Sequence, residues 1–122
     1  LGSLTSTRDL TFVQDSVQGF IAFAECEKTT GEVVNLGSGY EVSINQIVEL
    51  VSDCLGKRID VIKEKERIRP KKSEVERLFS DSGKAKCLFG WAPKTDLKVG
   101  MKKTINWIEE NMEKYKEGIY NI

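Results

Sequence analysis

Three groups of residues in this chain have the types and spacing to meet a charged ligand. Arg8 and Asp9 stand together at the entry to the apolar run Leu10-Thr11-Phe12-Val13. A charged pair leading into an apolar segment points to a fixed, partly buried arginine. Two roles stay open for it: an internal Arg8–Asp9 ion pair, or a guanidinium fork turned toward a phosphate. The second group is Asn35 followed by Gly37-Ser38-Gly39. A glycine turn between a strand and a helix is the setting in which backbone cradles a dinucleotide pyrophosphate. The third glycine of that fingerprint would fall at position 42, where Val42 stands, and the stretch up to Ser43 is too long for a helix N-terminus to touch a pyrophosphate. The pattern reads as a glycine-rich turn without a cofactor. Asn35, at a strand end, can donate its amide to a ligand; on pattern alone, a side chain that satisfies the turn is the better reading.

The third group lies between Lys57 and Arg77, where nine basic side chains face five acidic ones. Arg69 is among them, and arginine suits bidentate phosphate recognition. The plain alternative is a solvated surface of mixed charge. Nucleic acid is a poor partner for the segment, because the acids are interleaved and no aromatic residue lies between Lys57 and Arg77 for base stacking.

Other chemistries lack their residues. The 122-residue chain has no histidine, which excludes serine or cysteine nucleophiles activated by histidine and removes the commonest zinc ligand. Cys26, Cys54 and Cys87 are odd in number and widely spaced, without a Cys-x-x-Cys. They read as reduced, mostly buried thiols of a cytoplasmic protein, not as a disulfide framework or a metal site. Nineteen basic residues balance nineteen acidic ones, so no net charge draws the chain to nucleic acid or an anionic membrane. No apolar run approaches the ~18 residues of a membrane span. No carboxylates are paired for acid–base work, and neither Tyr40 nor Tyr115 is followed four residues later by lysine. No catalytic, cofactor-binding or metal-ligating residue is assigned.

The elements that must position these groups are short. Asp15, with Gln18 three residues on, predicts a capped helix over about Asp15–Glu27, with Val17, Phe20, Ile21 and Ala24 as its apolar series. Val33–Leu36 predicts a strand between Gly31 and Gly37, and Ile59–Ile62 a second. Ser43 with Gln46 forms another capping box, opening a helix whose Ile44, Ile47, Val48, Val51 and Leu55 share a face and which Gly56 closes. Lys63–Arg77, with Pro70, predicts a surface crossing, with a short strand near Val75–Phe79. Asp81 or Ser82 would cap a short helix ending at Gly90, and Trp91-Ala92-Pro93 an anchored turn. Thr95 or Asp96 would cap the last helix, with Leu97, Met101, Ile105, Ile108 and Met112 on one face. The sum is a single mixed α/β unit with three main helices.

Five segments in this order resemble the extended short-chain dehydrogenases, the NAD-dependent sugar-nucleotide epimerases and dehydratases. They are Arg8-Asp9-Leu10-Thr11-Phe12-Val13-Gln14-Asp15; Gly31-Glu-Val-Val-Asn35-Leu-Gly37-Ser-Gly39; Arg69-Pro70-Lys-Lys-Ser73-Glu74-Val75; Asp81-Ser-Gly-Lys84-Ala85 through Gly90-Trp91-Ala92-Pro93; and Gly100 with Ile105-Asn-Trp107-Ile108. The opening Gly2-Ser3-Leu4-Thr5 together with Ser73-Glu74-Val75 looks most like enzymes acting on UDP-N-acetylhexosamines, with GDP-mannose and dTDP-glucose dehydratases close by.

The resemblance implies an α/β fold, the small mixed α/β C-terminal lobe of such an enzyme without its Rossmann lobe. Residues 1–122 would be one sugar-nucleotide-binding domain of a longer enzyme, in keeping with a first residue, Leu1, that is not methionine. It implies that Arg8 and Arg69 grip the nucleotide diphosphate, that Glu74 accepts from the ribose hydroxyls, and that Asn35 donates to phosphate or sugar. NAD and the Tyr-x-x-x-Lys pair would belong to the N-terminal lobe of the parent enzyme, so this chain binds no cofactor and is inactive alone. The expected partner is a UDP-, GDP- or dTDP-linked sugar, with neither nucleic acid nor membrane. Copies are expected to associate through apolar surface that the Rossmann lobe would otherwise cover. The alternative is a stand-alone, non-catalytic module that binds a sugar nucleotide.

Overall fold

Thr7-Arg8-Asp9 forms the middle strand of the structure, β1 (Thr7–Asp9). The computed structural model describes residues 1–62 and 75–115. After β1 come α1 (Val13–Glu25), β2 (Glu41–Ser43), α2 (Ile44–Leu55), β3 (Arg77–Leu78), α3 (Gly83–Phe89) and α4 (Leu97–Glu110). The three strands make one sheet in the order β2-β1-β3. β2 runs antiparallel to β1, with Arg8 opposite Val42; β3 runs parallel to it, with Arg8 beside Leu78. The expected mixed α/β lobe is observed, and the described residues form the three main helices and the short one before Gly90.

Local chemistry explains most helix ends. Ser43 Oγ accepts from Gln46 N at 3.2 Å while Gln46 Oε1 accepts from Ser43 N at 2.8 Å, which completes the capping box of α2. Gly56 and Gly90 end α2 and α3 with φ of 62° and 68°, the left-handed region that favours glycine. Asp96 caps α4 by accepting from Lys98 N at 2.8 Å. At α3 it is Asp81 that accepts from Gly83 N, at 2.9 Å.

Three expectations need correction. α1 begins at Val13, not at Asp15, and Phe12 is its N-cap. Asp15 is instead buried in the first turn, where its Oδ2 accepts from Thr95 N at 2.9 Å, 80 residues away. Val33–Leu36 and Ile59–Ile62 are not strands. A strand needs a neighbour for its N–H and C=O groups, and neither segment pairs with a described strand; Val33 is 83% exposed. The thiols are also less buried than expected: Cys26 and Cys54 are half-buried and Cys87 is exposed, all three free.

Packing ties the helices in pairs, α1 with α3 and α2 with α4. Phe23 and Phe89 meet edge to face at 5.9 Å between centroids. Trp91 is buried, and its Nε1 donates to Asp15 O at 3.0 Å. Gly19 makes room for it: a Cβ there would lie 2.6 Å from Leu36 Cδ1 and 3.0 Å from the indole. The apolar series of α1 does not face this core. Val13 and Phe20 are 64% and 68% exposed, and Val17 and Ile21 are exposed beside them.

Candidate functional site

The chemistry-bearing residues gather around β1. Arg8 lies half-buried on this central strand, and its Nη1 donates to Thr7 O at 2.6 Å. Side chains alternate along a strand, so Thr7 and Asp9 share the face opposite Arg8. Asp9 settles part of the question left open by the sequence, because its carboxylate is taken up by the glycine turn. Its Oδ1 accepts from Ser38 N at 2.7 Å and from Ser38 Oγ at 2.5 Å, and its Oδ2 accepts from Gly39 N at 3.1 Å. The turn presses close: a Cβ on Gly37 would lie 2.4 Å from Ser80 Cβ and 2.9 Å from Asp9 Oδ2.

This arrangement decides two readings. The donors of the Gly37-Ser38-Gly39 turn already hold an internal carboxylate, so the turn does not fit the pyrophosphate of NAD, whose negative charge Asp9 would repel. Asn35 is also not what satisfies the turn. It is exposed, and its amide makes no hydrogen bond to another described residue. The expected ligands Arg69 and Glu74 lie outside the described residues. The chain is described again from Val75. There, Glu76 O accepts from Thr7 N at 2.8 Å, and β3 runs beside Thr7 and Arg8.

One cation at the end of the basic segment has a structural use. Arg77 Nε donates to Glu41 Oε2 at 2.8 Å, and its guanidinium lies 5.4 Å from the Phe79 ring centroid. The Thr7 hydroxyl donates to the other oxygen of Glu41. These two bonds, the Thr7 bond above all, hold the Glu41 carboxyl below its ordinary 4.5. A carboxyl depressed by folding stabilises the fold above its unfolded value and loses that contribution as pH falls through the folded one. Glu41→Gln is therefore expected to lower the urea midpoint at pH 7 and to change it little at pH 3. An equal loss at both pH values would contradict this account.

Other chemistry is thin. Among the described residues, no group of three or more acids and cysteines is placed to hold a metal ion, and no helix is long and apolar enough to cross a membrane. A cleft of about 450 Å³ opens beside the glycine turn, between Ser38 and Tyr40 on one side and Lys94 to Lys98 on the other. The Asp9–Ser38 tie was missed in the sequence; its only signals were an acid beside an arginine and a serine between two glycines.

Comparison with known proteins gives a consistent result. Residues 1–104 match the family of GDP-mannose 4,6 dehydratase. The chain is 37% identical over 114 residues to a UDP-glucuronate 4-epimerase of Thermodesulfobacterium geofontis, covering 92% of this chain and 33% of that protein. An epimerase structure from Methanothermobacter thermautotrophicus superposes with a TM-score of 0.81 at 30% identity, over 92% of this chain and 32% of that one. The UDP-glucuronic acid 4-epimerase of Bacillus cereus, in complex with UDP-glucuronic acid and NAD, gives 0.76 at 28% identity, over 90% and 34%. The chain thus spans about a third of the length of the relatives it matches.

Proposed function

The chain belongs to the GDP-mannose 4,6-dehydratase family, and from that premise we propose that residues 1–122 form the domain that grips a nucleoside diphosphate sugar within an NAD-dependent epimerase or dehydratase. The observation that carries this reading is convergence on β1. Arg8 sits on the strand itself, Asn35 leads into the turn that Asp9 holds, and β3 follows Arg69 and Glu74 in sequence. Arg8 and Arg69 would neutralise the two phosphates, guanidinium forks being matched to phosphate oxygens. Glu74 would accept from the ribose hydroxyls, and Asn35, with no described partner, would donate to a phosphate or to the sugar.

The B. cereus relative holds UDP-glucuronic acid together with NAD, which supports a UDP-linked sugar here, with GDP- and dTDP-linked sugars as alternatives. The Gly37-Ser38-Gly39 turn does not fit the pyrophosphate of NAD, and no Tyr-x-x-x-Lys occurs in the chain, which supports this reading. Hydride and proton transfer therefore fall to residues outside these 122. The chain alone is inactive, and the parent enzyme acts in the cytoplasm.

Two experiments test the reading. The purified chain with NAD and UDP-glucuronate is expected to give no product; turnover would overturn the assignment. Calorimetry with UDP-glucuronate is expected to show weak binding, because part of the cleft belongs to other residues. Micromolar binding that is lost in Arg69→Ala would instead establish a stand-alone module.

The exposed stripe of α1 leads to a further expected outcome. Apolar patches of this kind drive association, so light scattering is expected to show the chain's apparent mass rising with concentration. Phe20→Glu should restore the monomer. A clean monomer of the unmodified chain at high concentration would count against the stripe as a contact surface.

A further inference from the structure

Resting on the reading of Arg8 and Asn35 as ligands of the nucleotide diphosphate, we propose that Asp9 is a positioning residue: it ties the turn that follows Asn35 to β1, the strand that carries Arg8. An acid next to a phosphate-binding arginine is at first sight misplaced, since its charge would repel the ligand. The structure shows how that conflict is avoided. Both oxygens of Asp9 are engaged, Oδ1 by the amide and hydroxyl of Ser38 at 2.7 and 2.5 Å and Oδ2 by the amide of Gly39 at 3.1 Å. Hydrogen bonds to an ionised acceptor are the stronger kind, and three from one turn fix its position as well as its charge.

The tie bridges a gap that the sheet does not. Arg8 lies on a paired strand, whereas Asn35 follows a stretch that pairs with no described strand. Asp9 reaches across 29 residues to Ser38, three positions after Asn35. Gly37 permits the approach, because a Cβ there would lie 2.9 Å from Asp9 Oδ2. Ser38 Oγ in turn accepts from Tyr40 N at 3.1 Å, so the hydroxyl is held from both sides. Loss of the carboxylate would leave Arg8 on its strand and release Asn35 from it.

A double-mutant cycle separates positioning from general stabilisation. UDP is titrated into the 122-residue chain and its Asn35→Ala, Asp9→Asn and doubly substituted variants, with affinity read from amide shifts and stability from urea unfolding. Asp9→Asn keeps the size but puts an amide donor against the turn donors, so affinity should fall about tenfold. In the Asn35→Ala background the same change should cost less than about threefold, because the ligand contact it serves is gone. Ser38→Ala removes one of the three bonds and should weaken UDP about threefold, which keeps the test valid if Asp9→Asn does not fold. If Asn35→Ala leaves UDP affinity unchanged, the ligand reading of Asn35 fails and the proposal with it. If Asn35→Ala weakens UDP but Asp9→Asn and Ser38→Ala do not, the positioning role alone fails. Equal losses in both backgrounds would make Asp9 purely structural and also overturn it.

Discussion

Trp91→Ala is expected to cost about 3–5 kcal/mol of folding stability, the range for emptying a large aromatic site. Among the described residues few side chains are fully buried, and that loss is a large share of the about 5–15 kcal/mol available to a domain. Trp91 is 6% exposed, lies against Gly19 of α1 and donates its indole N–H to Asp15 O. Asp15 in turn accepts from Thr95 N, just ahead of α4. One side chain thus joins α1 to the link between α3 and α4. Trp91→Phe retains a ring and loses only the donor and part of the volume, so its cost should be clearly smaller. Urea unfolding followed by far-ultraviolet circular dichroism measures both. A loss below about 1 kcal/mol in Trp91→Ala, the range of an ordinary surface change, would show that the indole does not hold these elements together.

Arg8→Ala should weaken binding of a UDP-sugar by about ten- to a hundredfold, since a hydrogen bond to a charged group contributes about 1.5–3 kcal/mol. Its fold should survive, because the backbone pairing of β1 with β2 and β3 does not depend on the side chain. Arg8→Lys should recover only part of the affinity: a lysine restores the charge but not the planar fork. Calorimetry with UDP-glucuronate, paired with unfolding curves, separates the two effects. Full affinity in Arg8→Lys would mean that charge alone matters; full affinity in Arg8→Ala would remove Arg8 from the site.

The parts legible in the sequence were those governed by near neighbours. Ser43 with Gln46, Gly56 after α2, Gly90 after α3 and Asp96 before α4 act within a few residues, and the structure shows each in its expected role. Asp15 looked like another such cap, yet its acceptor serves Thr95, a distant partner that no local pattern reveals. Val33–Leu36 has the β-branched composition of a strand, but strand pairing needs a second segment, and composition cannot supply one. The α1 stripe had helical spacing without any indication of which side faces solvent. At the candidate site, Arg8 and Asn35 were singled out by type and position. The bond that joins their segments, Asp9 to Ser38, spans 29 residues and was not legible.

The proposed function has this chain recognise the nucleotide of the substrate and not the cofactor. The most direct measurement is a pair of titrations of the isotopically labelled chain, one with UDP-glucuronate and one with NAD, followed by amide and side-chain shifts. The account predicts that UDP-glucuronate moves the resonances of Arg8, Asn35, Ser38, Gly39 and the Arg69–Glu74 stretch, while NAD at the same concentration leaves them in place. Shifts at these residues with NAD, or none with the UDP-sugar at millimolar concentration, would contradict it.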